Sequence, residues 1–107
     1  MPRRAIIISS QRYLDAATVA EKKRVRDFEI LVSPEFVIDG IPMRVLLDGH
    51  HSYAAAKLAR RNAMATEATN AHHDAIQLLE SKGPEYFLDV VQDRDDWFNL
   101  ETGELIW

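Results

Sequence analysis

The chain of 107 residues reads as a single small α+β domain. Three observations predict this class. Short apolar runs rich in β-branched residues recur at strand length, as in Ala5-Ile6-Ile7-Ile8 and Phe28-Glu29-Ile30-Leu31-Val32. Between and after them lie stretches rich in Ala, Leu, Lys, Arg and Glu, the best helix formers. Apolar residues make up 47 % of the chain, and a domain of this size buries roughly two-thirds of its unfolded surface, enough for a core without covalent staples.

The elements follow in order. Residues 5–8 predict a buried strand. Residues 15–27 predict a charged helix with Asp15 or Thr18 at its start, and residues 28–32 the next strand, which Ser33-Pro34 ends. Two β-rich runs flank Asp39-Gly40, so residues 35–47 predict a hairpin with a tight turn there. Asp48-Gly49 ends its second strand. From His50 or His51 the pattern turns helical, with Ala55, Leu58 and Ala59 as a narrow face toward the sheet. Residues 62–71 alternate weakly and leave a short strand open. Residues 72–82 predict a helix stopped by Gly83, and Pro84 opens another whose Phe87, Leu88 and Val91 face the core. Asp93-Arg94-Asp95-Asp96 is a loop, and residues 97–107 predict a terminal hairpin with Gly103 at its turn. The expected organisation is one domain over 1–107, a motif-bearing core at about 5–70 and a helical and hairpin extension over 71–107.

Composition excludes several function classes. With no cysteine there is no disulfide framework, thiolate nucleophile or cysteine-held metal. No apolar run approaches the length of a membrane span, and Met1-Pro2-Arg3-Arg4 lacks the apolar stretch of a signal peptide, so a cytoplasmic protein is expected. Charge is unevenly spread. Residues 1–62 carry 11 Lys and Arg against 7 Asp and Glu, a balance of +4, while residues 63–107 carry 2 against 10, a balance of −8. Only 22–26 concentrates positive charge, as a solvated helix face would. The acidic second half repels nucleic acid and offers residues 84–107 as a face for a basic protein partner.

The chemistry concentrates in Leu46-Leu47-Asp48-Gly49-His50-His51-Ser52-Tyr53-Ala54-Ala55-Ala56-Lys57. A strand, a glycine, a polar cluster and a helix start together present unpaired N–H groups with positive dipole character, which suits phosphate. His51 and Ser52 add donors, and Asp48 can hold a metal ion or accept a proton. This stretch resembles the signature of the ParB/sulfiredoxin-like superfamily, in which a strand runs into Asp-Gly-His-His-Arg or a similar motif and then an Ala-Ala helix. The upstream order of strand, charged helix, strand and hairpin also fits, and the resemblance covers roughly residues 5–70.

The resemblance implies an α+β fold whose motif loop holds nucleotide phosphates. By matching position, Gly49 is the close-approach glycine, His50, His51 and Ser52 line the phosphates, and Asp48 sits beside them with Mg²⁺ and a nucleoside triphosphate or diphosphate. Asp48 and His51 are then the catalytic candidates. Three departures bear on this. Sulfiredoxins have their catalytic cysteine where His50 stands, which excludes that reaction. Ser52 replaces an arginine, removing a bidentate phosphate clamp, so another cation must serve, with Arg44, Lys57 and residues 22–26 as candidates. Partition proteins continue into a helix-turn-helix domain that the acidic residues 71–107 do not resemble, so sequence-specific DNA binding is not expected.

Two functions follow. One is a nucleotide-binding domain acting as an NTPase or an ATP- or ADP-dependent phosphotransferase through residues 48–52. The other is a non-catalytic binding or regulatory module working through protein partners, with a homodimer left open. A nuclease would need clustered acidic metal ligands and a surface that attracts DNA, which Asp48 alone and a net charge of −4 do not supply. A metal quartet of His50, His51, His72 and His73 lacks the i, i+4 spacing that aims two imidazoles at one ion. Surface or helix-start roles are the simpler reading of His72 and His73. Trp97, Phe98 and Trp107 read as packing of the last hairpin.

Overall fold

A computed structural model describes residues 4–107, so the reading of the chain start lies, save for Arg4, outside the described residues. The strands are β1 (Ile6–Ser9), β2 (Glu29–Val32), β3 (Phe36–Ile38), β4 (Ile41–Asp48), β5 (Met64–Glu67) and β6 (Phe98–Asn99). They form one mixed sheet in the order β5-β2-β4-β1-β6, with β3 paired to the first part of β4. β1 runs parallel to β4 and β5 parallel to β2, while the other pairs are antiparallel. The hairpin of β3 and β4 turns at Asp39 and Gly40, with φ of 53° and 75°. Both central residues are left-handed, the geometry that matches the twist of the strands it joins.

Helices α1 (Ala16–Val25) and α2 (His50–Leu58) follow β1 and β4. Asp15 caps α1 by accepting from the Thr18 amide at 3.0 Å. The second half of the chain adds a single 3₁₀ turn (Asp74–Ile76), α3 (Gln77–Ser81) and α4 (Pro84–Val91). The helix expected from residue 72 therefore starts later. His73 stands outside it and caps the 3₁₀ turn, its Nδ1 accepting from the Ala75 amide at 3.2 Å. No helix among the described residues is long and apolar enough to cross a membrane.

Strand alternation gives the sheet two apolar faces. On one face Ile8, Met43 and Val45 meet Ala75, Ile76, Phe87, Leu88 and Trp97. On the other Ile30, Val32 and Leu46 meet Tyr53 of α2. The helical and hairpin extension over 71–107 thus completes the core. Phe87 is wholly buried, and β6 lengthens the sheet beside β1. The core face of α2 is Ser52, Ala55 and Ala56, whereas Leu58, expected there, is 64 % exposed. α2 is flanked by both α1 and β2, and small side chains let the three elements approach closely.

The junction between β4 and α2 is held by Gly49. Its φ is +95°, and a Cβ there would stand 2.7 Å from the Glu29 carbonyl oxygen and 2.9 Å from the Ile30 Cα. Both the conformation and the space demand glycine. Gly49→Ala is expected to destabilise the fold by about 2 kcal/mol or more, because backbone rather than a flexible side chain blocks the new methyl. Urea or thermal unfolding should show a drop in Tm of roughly 10 °C. Gly103→Ala meets no neighbouring atom within 4 Å and should cost less.

Candidate functional site

Parallel strands β1 and β4 end side by side, and α2 starts where β4 stops. Crevices outside the carboxyl ends of parallel strands are where open α/β sheets bind ligands. Two adjoining clefts open here. One, of about 370 Å³, is lined by Gln11, Lys22, Asp48, His50, His51 and Ser52 among others. The other, of about 100 Å³, is lined by Ser9, Ser10, His50 and Asp93 with apolar walls from Val45, Val91 and Trp97. They share Gln11, Leu47 and His50. The C-terminal segment forms a wall because it is stitched to the loop after β1. The Asp93 amide donates to Ser10 Oγ at 2.7 Å, the Asp95 amide to the Ser10 carbonyl at 2.9 Å, and the Arg12 amide to Asp95 Oδ2 at 2.8 Å.

The adjacent histidines diverge, as neighbours on a helix do. His50 turns to the smaller cleft, with Nε2 2.9 Å from the hydroxyl of Ser9, itself 1 % exposed. Burial holds its pKa below the ordinary histidine value, with the neighbouring His51 acting in the same direction and Asp48 and Asp93 opposing. His51 turns to α1, where its Nε2 accepts from the Asp15 amide at 3.1 Å. That bond needs an unprotonated Nε2, so His51 serves α1 as a fastener at the same residue that caps it.

Asp48 and Ser52 are also engaged. Asp48 Oδ1 accepts from the Gly49 amide at 2.8 Å, while the carboxylate itself stays exposed. Ser52 is 2 % exposed, beneath the start of α2. The Asp27 carboxyl lies below its ordinary range, first because Lys22 donates to it, then through the Glu29 amide, with a smaller contribution from Ser52. Lys22 Nζ lies 2.8 Å from Asp27 Oδ2, and this bond holds the ammonium above its ordinary pKa, with Asp48 adding to the effect.

Among the three candidates to replace the missing arginine, the structure brings only the 22–26 run to the site, through Lys22. Arg44 donates to the Ser33 carbonyl at 3.0 Å and pairs with Glu67 at 3.5 Å. Lys57 donates to the Glu101 carbonyl at 2.9 Å. Gly49 makes its close approach to the backbone of β2, so its role is at least in part architectural. Among the described residues no three His, Cys, Asp or Glu side chains converge as metal ligands. His72 and His73 cap local turns, with His72 Nδ1 accepting from the Thr69 amide at 3.0 Å.

No protein-family model, curated protein or solved structure matches this chain. Ser9, Ser10 and Gln11 join the site without having been singled out in the sequence. The signal for them is two serines directly after a β-branched strand, where the strand end leaves the core.

His50 sets a pH signature. Its depressed folded pKa means that the unfolded chain takes up the proton first, so the stabilisation is present above about pH 6.5 and lost as the pH falls through the folded value. Tm should decline from pH 7 toward pH 5.5. The decline should be shallower in His50→Gln, which keeps a hydrogen-bonding side chain but does not titrate.

Proposed function

We propose that this chain is a nucleotide-phosphate-binding domain of the ParB/sulfiredoxin-like kind, with its site at residues 48–52. The carrying observation is the start of α2. The amides of His50, His51 and Ser52 have no carbonyl four residues back within the helix, and these three residues line a cleft that Lys22 also lines. One of the three ammonium donors goes to Asp27, leaving others for a phosphate oxygen. Lys22 thus supports the role that arginine has in the family motif, as a point charge without the bidentate fork.

Asp48 fits a magnesium ion shared with a nucleotide. One carboxylate oxygen is used by the Gly49 amide and the group is exposed, which matches a cation that takes one or two carboxylates and otherwise phosphate oxygens and water. Such an ion would neutralise phosphate charge beside Asp48.

Phosphoryl transfer or NTP hydrolysis is the second reading, and His50 favours it. Of the residues expected to act as base, His51 is engaged with α1 and Asp48 with the Gly49 amide. His50 is the neutral imidazole shared by both clefts, within hydrogen-bond reach of a hydroxyl at Ser9. A binding or regulatory role without turnover needs only the amides and Lys22. Its partner face is drawn from the acidic residues 84–107, where Leu105 and Trp107 are exposed beside Glu101 and Glu104.

Calorimetry and thermal shift with CTP, ATP, ADP and GTP, with and without Mg²⁺, test the proposal. A ligand at 100 times its Kd adds about 2.7 kcal/mol, raising Tm by roughly 10 °C. Lys22→Gln should weaken binding by about tenfold or more, since a charge-assisted contact is lost. Asp27→Asn should tighten it by freeing the ammonium. Absence of binding for every nucleotide contradicts the proposal. Product release that is lost in His50→Gln while binding persists selects the catalytic reading.

A further inference from the structure

Two serines stand where β1 leaves the core, and they are not equivalent. Ser10 Oγ accepts from the Asp93 amide at 2.7 Å and holds the C-terminal segment in place. Ser9 Oγ accepts from the Gln11 amide at 3.1 Å, which leaves its own proton to donate. Two acceptors lie within reach of that proton, His50 Nε2 at 2.9 Å and the Gln11 carbonyl at 3.5 Å. The imidazole is the nearer, and burial favours its neutral form. A hydroxyl that donates to a neutral imidazole is a nucleophile paired with its base. Here the pair joins the end of β1 to the first turn of α2, 41 positions apart in sequence.

The surroundings decide what such a pair can attack. The smaller cleft, of about 100 Å³, is lined by Ser9 and His50 and walled by Val45, Val91 and Trp97. Drug-sized ligands take pockets of roughly 300 Å³ or more, so this one admits a group the size of a phosphoryl and not a nucleoside. It adjoins the larger cleft at the start of α2, and His50 lines both. The imidazole therefore stands between the serine and the place argued above for nucleotide phosphates. Asp48 and Asp93 both act on His50 in the direction that favours imidazolium, so a proton taken from Ser9 is stabilised once it has arrived. Lys22 lines the larger cleft and offers positive charge to a phosphoryl donor there.

We propose that Ser9 is a phosphoryl acceptor, taking the terminal phosphoryl group of a nucleoside triphosphate with His50 as its base. The inference rests on the nucleotide-phosphate reading of residues 48–52. Ser9 Oγ forms the new bond to the γ-phosphorus, and the bond from that phosphorus to the bridging oxygen breaks. The nucleoside diphosphate leaves with the bridging electron pair, and the hydroxyl proton passes to His50 Nε2. The products are a phosphoserine at position 9, the diphosphate and an imidazolium. Ser9 is 1 % exposed, so the attacking atom is held in place by the protein rather than recruited from solvent. The position beside His50 Nε2 is filled by the serine hydroxyl, where a hydrolytic water would otherwise have to stand.

The test is incubation of the full chain with Mg²⁺ and CTP, ATP or GTP, followed by intact mass and peptide mapping, with Tm read on the same samples. The expected result is a rise in Tm with at least one triphosphate and a gain of one phosphoryl group mapped to Ser9 of the wild type. The rate should not change on dilution of the protein, because donor and acceptor lie in one molecule. Ser9→Ala should abolish incorporation. His50→Gln, with folding checked by circular dichroism, should slow it about a hundredfold or more while the triphosphate still raises Tm. A triphosphate that raises Tm without any gain in mass overturns this inference and leaves the nucleotide site standing. No rise in Tm with any triphosphate overturns both. A phosphoryl group mapped to another residue, or incorporation at the wild-type rate in folded His50→Gln, also overturns the inference.

Discussion

The structure depends on the close seating of the β4–α2 junction upon the backbone of β2. Gly49 is the only residue type that fits, and its contact with Glu29 and Ile30 fixes where α2 begins relative to the sheet. From that point the other arrangements follow. Ser52 is buried beneath the helix, His50 turns toward the end of β1, and His51 reaches Asp15, the residue that caps α1. α1 is then held twice at Asp15, by its own cap and by an imidazole from another helix. The same glycine that packs the fold also sets where α2 starts beside the cleft, so stability and the placement of the proposed site share one constraint.

Much of this was legible in the sequence because local chemistry and long-range packing agree there. Asp39-Gly40 forms the hairpin its residue types favour, Asp15 caps the helix it precedes, and Phe87, Leu88 and Val91 turn to the core at helical spacing. The disagreements have a common origin in neighbours that a single element does not reveal. Leu58 reads as core by type, yet α1 and β2 leave room only for small side chains on α2. Met64–Glu67 is a strand because β2 offers a partner, not because its own residues favour one. Residues 71–107 were expected to turn Phe87, Leu88 and Val91 to a core, but which face of the sheet they meet is settled only when the chain folds back.

The candidate site divides in the same way. The motif residues 48–52 do gather at a strand end and a helix start, as their types and spacing led us to expect. Which of them is free to act was not visible. Asp48 and His51 each spend a polar atom on the local framework, Ser52 is buried, and His50 is held neutral by burial. The cation that faces the site comes from a helix 26 positions earlier in sequence than Asp48, a relation that no local pattern encodes.

The central claim is that the start of α2 receives phosphate. It is tested most directly by titrating ¹⁵N-labelled protein with a nucleotide and following backbone amides by NMR. The account predicts that the amides of Gly49, His50, His51 and Ser52 move together with a single Kd, and that inorganic phosphate moves the same set more weakly. Shifts confined to amides away from residues 48–52, or an unperturbed α2 start at saturating nucleotide, would contradict it.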